Sequence, residues 1–151
     1  MLSLTKATDY AILALAYLDQ SEEAAVVSTK EIAEHYAIPA ELLAKVLQRL
    51  SKQGLVDAHQ GRGGGYSLAR STSKIPITEV VEAVEGPIAI ACCLKEGGEG
   101  RCDQYDQCTI KSPVEQIQEM VVDLFSTITV ARLISGEPIN AASLPTPTLR
   151  A

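Results

Sequence analysis

The most constraining stretch of this 151-residue chain is Leu55 to Ala69, where two short β-forming segments flank Gln60-Gly61-Arg62-Gly63-Gly64. Glycine reaches positive φ without a Cβ penalty, so the insert predicts a tight hairpin joining strands at Leu55–His59 and Gly65–Ala69. Helical signals precede it. A helix beginning near Pro39 buries Leu43, Val46, Leu47 and Leu50 and stops at Gly54, because proline is tolerated in a first turn and glycine suits a C-terminal cap. Upstream, Ser28-Thr29-Lys30-Glu31 reads as a capping box, hydroxyl and carboxylate each meeting an orphan amide, and opens a helix to about Tyr36. The first segment spaces Leu4, Ala7, Ala11, Ala14, Leu15 and Leu18 by threes and fours, the stripe of an amphipathic helix. Helix–turn–helix followed by a glycine-rich hairpin describes a winged helix. A further helix fits Thr78 to Glu85, closed by Gly86-Pro87.

The C-terminal half changes character. Cysteines, glycines and charges replace the periodic pattern from about residue 91 to 111, the mark of a loop that something must organise. Ser112-Pro113-Val114-Glu115 then predicts the capped start of a long helix. Along it Val114, Ile117, Val121, Leu124, Ile128 and Ala131 form an a/d seam of nearly three heptads. That stripe fits a two-fold dimer seam or packing on the chain's own domain. The expected organisation is mainly α: a winged helix-turn-helix domain with a two-stranded wing at 1–86, a cysteine-rich loop at 87–111 and a dimerisation helix at 112–136. A tail at 137–151, with Pro138, Pro145 and Pro147, is expected to be poorly ordered.

Apolar residues make up 46% of the chain and aromatics 4%, with no Trp, so the core must be aliphatic. No apolar run approaches the roughly 18 residues of a membrane span, and Met1 to Lys6 lacks the order of a signal peptide. The expected compartment is a reducing cytoplasm, where four cysteines are better explained as ligands or sensors than as disulfides. The net charge is −6, yet the segment from Lys30 to Lys74 holds seven basic and four acidic residues, a local +3. A basic segment on an acidic carrier permits DNA binding without demanding it.

With its buried face assigned, the third helix presents Glu41, Ala44, Lys45, Gln48, Arg49 and Lys52. Small residues allow approach to a major groove, Gln and Arg can pair bidentately with base edges, and Lys can meet phosphate. Arg62 at the hairpin tip would reach the backbone or minor groove, and Gly63, Gly64 and Tyr66 complete the candidate wing contact. A solvated helix face beside an ordinary turn is the competing explanation. The predicted partner is double-stranded DNA.

Cys93, Cys102 and Cys108 are separated by eight and then five residues, in a loop with Gly97, Gly98 and Gly100. Soft thiolates select iron–sulfur clusters, zinc or copper(I). Structural zinc sites usually contain close C-x₂₋₄-C pairs, which these spacings do not supply. A larger cluster tolerates wider spacing. Cys92 is read as a spare thiol, because adjacent cysteines cannot easily ligate one iron.

Several motifs together resemble the Rrf-two (Rrf2) superfamily of bacterial regulators. They are Thr5-Lys6-Ala7-Thr8-Asp9-Tyr10-Ala11, Leu42 to Leu50, Gly54-Leu55-Val56, Gly61-Arg62-Gly63-Gly64-Gly65-Tyr66 and Glu79 to Gly86. The resemblance implies a winged-helix transcription regulator, a homodimer built on the long helix, and a partly palindromic operator spanned by two recognition helices. It also implies a [2Fe-2S] or [4Fe-4S] cluster on Cys93, Cys102 and Cys108, needing a further donor. The IscR type carries a histidine three residues after the last cysteine, where this chain has Lys111, a cation without a lone pair. The NsrR type uses an aspartate of the first helix reaching the partner subunit's cluster, and Asp9 occupies the matching place. His35 is a second candidate donor.

The function expected is therefore an iron–sulfur-responsive repressor sensing redox state, nitric oxide or cluster supply. A cluster-free regulator sensing thiol oxidation or a partner protein is the alternative, and an electron carrier is disfavoured by the winged helix. An enzyme is not expected. There is no nucleophile–base constellation, and the glycine-rich turn lacks the Lys-Ser/Thr ending and following helix of a phosphate loop.

Overall fold

The computed structural model describes residues 4–22, 25–95, 97–98 and 102–139. The chain runs α1 (Lys6–Gln20), α2 (Thr29–Tyr36), α3 (Ala40–Lys52), β1 (Val56–His59), β2 (Gly65–Leu68), α4 (Ile77–Glu85), α5 (Lys111–Thr127) and α6 (Val130–Ile134). Short 3₁₀ turns lie at Thr72–Lys74, Cys92–Leu94 and Tyr105–Gln107. The mainly helical winged helix-turn-helix expectation holds, with a two-stranded wing.

Local chemistry accounts for most boundaries. Thr5 caps α1, its hydroxyl accepting from the Thr8 amide at 3.4 Å. Ser28 caps α2 by accepting from the Glu31 amide at 3.2 Å. Only this half of the expected capping box is drawn on by Ser28. The Glu31 carboxylate instead accepts the Tyr17 hydroxyl at 3.1 Å, which ties α2 to α1 and raises the Tyr17 phenol above its ordinary range. After α3, Gly54 takes φ +69, the left-handed turn that sends the chain into β1.

One aliphatic core joins these elements. Leu15, Ile32, Leu43, Leu47, Leu50, Leu55, Ile75 and Val80 are fully enclosed. Each such side chain is worth about 1.5–3 kcal/mol of burial. The wing is antiparallel, pairing Val56 with Leu68, Asp57 with Ser67, Ala58 with Tyr66 and His59 with Gly65. Val27, just before α2, adds a bridge to Tyr66 through backbone bonds of 2.9 and 2.8 Å. At Gly65 a Cβ would overlap the Val27 carbonyl, so this position must be glycine for the wing to dock on the helical body.

The C-terminal helix is long, but its limits differ from expectation. It begins at Lys111 with no side-chain cap, so Ser112 is not the cap and Pro113 sits two residues further into the first turn. It stops at Thr127 rather than continuing to residue 136. Ile128 is extended, and Pro76 bridges Thr129, with Ile77 N–H donating to Ile128 C=O at 2.8 Å and Val130 N–H to Ile75 C=O at 2.9 Å. Ile128 and Val130 are thereby drawn into the core, and Thr129 caps α6. Ile128 thus leaves the predicted seam. On α5, Ile117 and Met120 are exposed, while Leu124 and Phe125 rest against the core. The predicted tail beyond Ile139 lies outside the described residues, and no described helix is long and apolar enough to cross a membrane.

Candidate functional site

α3 carries its apolar face into the core through Leu43, Val46, Leu47 and Leu50 and turns Glu41, Lys45, Gln48 and Lys52 outward, with Ala44 half-buried among them. Glu41 lies in the first turn and Lys52 in the last, the charge order that complements a helix dipole. Arg49 is exposed as well, and its guanidinium is engaged within the chain. Its Nη1 donates to the Val84 carbonyl at 2.5 Å, so the guanidinium braces α3 against the last turn of α4.

At the wing tip, Arg62 is exposed between Gly61 at φ +104 and Gly63 at φ +84. Gly64 allows the turn to close, since a Cβ there would fall 2.5 Å from the His59 carbonyl. Tyr66 lies behind the tip. Its backbone bridges Val27 and its half-buried ring packs against the core, an anchoring position behind the tip. The outward set is therefore Glu41, Ala44, Lys45, Gln48 and Lys52 on α3 with Arg62, Gly63 and Gly64 on the wing. Shape and charge suit this set to a groove and its phosphates.

A junction that sequence reasoning missed lies beside it. Glu85, the last residue of α4, accepts from the Thr5 amide at 3.1 Å, the Thr5 hydroxyl at 2.9 Å and the Thr8 hydroxyl. Burial pushes the Glu85 carboxyl upward, but these donors outweigh it and hold it below the usual glutamate range. Successive residues Val84 and Glu85 thus grip the recognition helix and the start of α1. A threonine ahead of the α1 stripe signals the cap; its partner lies 80 residues away, with no local trace.

Asp9 is exposed on the first turns of α1. His35 is exposed in the last turn of α2, its ring edge-on to Tyr17 and Tyr36 at 4.9 and 4.6 Å. Those two rings form its aromatic surroundings.

The cysteine loop leaves α4 at Gly86. Gln118 of α5 clasps its start, Oε1 accepting from the Ile90 amide at 2.9 Å and Nε2 donating to the Ile88 carbonyl. Cys93, Cys102 and Cys108 are half-buried free thiols, while Cys92 is exposed. Lys111 places its ammonium 3.8 Å above the Tyr105 ring, a cation–π contact. The donor chemistry suits an iron–sulfur cluster. The arrangement is open, because among the described residues no three His, Cys, Asp or Glu side chains converge where they could hold a metal ion.

Comparison with known proteins gives these features a context. Residues 4–136 match the family model Rrf2, described as iron-dependent transcriptional regulator. The HTH-type transcriptional regulator IscR of Escherichia coli is 29% identical over 136 residues, covering 90% of this chain and 82% of IscR. Among solved structures, IscR of T. potens superposes with a TM-score of 0.66 at 24% identity, covering 89% of this chain and 88% of its own. CymR, the global cysteine regulator of B. subtilis, gives 0.69 at 21% identity, covering 91% and 100%. The two superpositions establish the shared fold, and the family model and the Escherichia coli relative carry the names of transcriptional regulators, not of enzymes. The chain belongs to the Rrf2 family of transcriptional regulators.

Proposed function

We propose that this chain is a homodimeric repressor that reads a partly palindromic operator and is controlled by an iron–sulfur cluster on Cys93, Cys102 and Cys108. The observation that carries the reading is the trio of unpaired thiols in one loop, between the DNA-reading body and α5. Similarity to IscR and the iron-dependent description of the family support it. A bound cluster would supply iron chemistry responsive to oxidants and nitric oxide.

The chain's own residues have separate tasks. α3 enters the major groove with Lys45, Gln48 and Lys52, and Arg62 reaches the flanking phosphates or minor groove. α5 offers Ile117 and Met120 to a second copy, which sets two α3 helices at operator spacing. Asp9, exposed on α1, is the donor offered to the partner's loop; Lys111, seated on Tyr105, is not.

A cluster-free regulator sensing thiol oxidation or a partner protein is the second reading. Four free thiols, with Cys92 exposed, are the observation behind it. One experiment separates the two. Duplexes are selected from a random pool with anaerobically purified protein, and binding is compared for wild type and Cys93→Ser before and after air exposure. The cluster reading predicts two-fold-symmetric duplexes and an affinity change on air exposure that accompanies loss of iron and is missing in Cys93→Ser. An air response in iron-free wild-type protein that thiol reductant reverses would favour the second reading. Failure to select any duplex at low salt would remove both.

A further inference from the structure

The two wing strands are fixed to the rest of the protein unequally. β2 is fastened: Tyr66 pairs with Val27 through backbone bonds, and Gly65 lies so close to Val27 that a Cβ there would stand 2.2 Å from the Val27 carbonyl oxygen. β1 enters the wing at buried Val56, but Asp57, Ala58 and His59 are all exposed. Its outer end pairs with Gly65, which offers no side chain to pack against. The glycine-rich turn stands on that end. The Gly64 amide closes it by donating to the Gly61 carbonyl at 3.0 Å, and a Cβ at Gly64 would fall 2.5 Å from the His59 carbonyl oxygen. Arg62 is carried in this turn, so its direction follows the His59 peptide.

A side-chain bond ties the loosely held strand to the fastened one. His59 Nε2 and Ser67 Oγ are 2.8 Å apart. Ser67 stands opposite Asp57 in the ladder and His59 opposite Gly65, so the bond runs along a diagonal that a long side chain can span. Among the described residues it is the one side-chain hydrogen bond between the two strands. Ser67 is only 7% exposed, too enclosed to meet a nucleic acid itself. We propose that His59 and Ser67 are positioning residues of the DNA interface, clasping the outer end of β1 to β2 so that the wing tip presents Arg62 in one direction. The role rests on the DNA contact assigned to Arg62 above. Without the clasp only backbone pairing holds that end, and a two-stranded ribbon has little stability of its own. Arg62 would then be ordered only at the moment of binding, at a cost in affinity.

The test is a double-mutant cycle read in DNA affinity. Wild type, Ser67→Ala, Arg62→Ala and the double variant are titrated against a mixed-sequence duplex by fluorescence anisotropy across a salt series, at a temperature where circular dichroism shows each of them folded. Ser67→Ala is expected to weaken binding by about 2- to 10-fold, the span of one neutral hydrogen bond, and to lower the salt slope by up to about 0.9, the share of one phosphate contact. In the Arg62→Ala background the same substitution should cause no further loss. His59→Ala removes the bond from the exposed side and should behave as Ser67→Ala does. A bond that serves stability alone would lower the melting temperature and leave the affinity of the folded protein unchanged, and that result would overturn the proposal. Equal losses with and without Arg62 would also overturn it, while leaving Arg62 at the DNA. A loss in His59→Ala with none in Ser67→Ala would make the imidazole itself the contact and end the positioning role. An Arg62→Ala protein with wild-type affinity and slope would remove the wing-tip contact, and the clasp would fall with it.

Discussion

Replacing Arg49 with alanine separates a base or phosphate contact from an internal brace. The guanidinium is anchored to the Val84 carbonyl at 2.5 Å, a charge-assisted hydrogen bond between α3 and α4. Such bonds are worth about 1.5–3 kcal/mol. The residue is largely exposed, so solvent screening reduces this to about 1 kcal/mol. For a chain of this size the loss corresponds to a melting temperature lower by about 3–6 °C, measured by circular dichroism at fixed protein concentration. Affinity for nonspecific duplex DNA would be followed by fluorescence anisotropy across a salt series. Each phosphate contact contributes about 0.9 to the slope of log affinity against log salt. Arg49→Ala should therefore melt earlier with an unchanged slope. Arg62→Ala, at the exposed wing tip, should show the converse: a slope smaller by about 0.9 and an unchanged melting temperature. An Arg49→Ala protein with wild-type stability and a slope reduced by about 0.9 would refute the brace and restore Arg49 to the DNA interface.

Three further outcomes follow from the same contacts. Glu85 has a folded pKa below its ordinary 4.5, so the unfolded chain takes up the proton first as pH falls. Its contribution is present above that value and is lost as pH drops through the folded pKa; urea melts of wild type and Glu85→Gln should differ by a constant amount at pH 6–8 and converge in acid, and a constant gap throughout would contradict this. Gly65→Ala forces a Cβ into the Val27 carbonyl and should cost about 1–3 kcal/mol, read from the urea midpoint, by prying the wing from the body. Ile117→Glu places a charge on the exposed face of α5 and should turn a dimer into a folded monomer in sedimentation velocity; an unchanged sedimentation coefficient would move the seam elsewhere.

The parts legible in the sequence are those governed by short-range rules. Ser28 ahead of α2, Gly54 after α3 and the glycine-rich turn at residues 61–64 each impose geometry on their own neighbours, and each appears where local chemistry requires. The break after Thr127 was hidden because Ile128 and Ala131 continue the hydrophobic period. Its signal was present in Thr127-Ile128-Thr129-Val130, four successive β-branched residues that disfavour a helix and suit an extended bridge. The brace at Arg49 and the grip of Glu85 on Thr5 and Thr8 are of another kind. Their partners lie 35 to 80 residues away, and an outward arginine on a recognition helix looks the same in sequence whether it meets DNA or a carbonyl.

The central claim is the cluster, and its most direct test is the visible spectrum of protein purified under strict anaerobiosis, with iron and sulfide assayed on the same sample. The account predicts a brown protein with charge-transfer bands, matching iron and sulfide, and loss of both in Cys93→Ser. A colourless protein that stays colourless after anaerobic reconstitution would contradict it and leave Cys93, Cys102 and Cys108 to thiol chemistry.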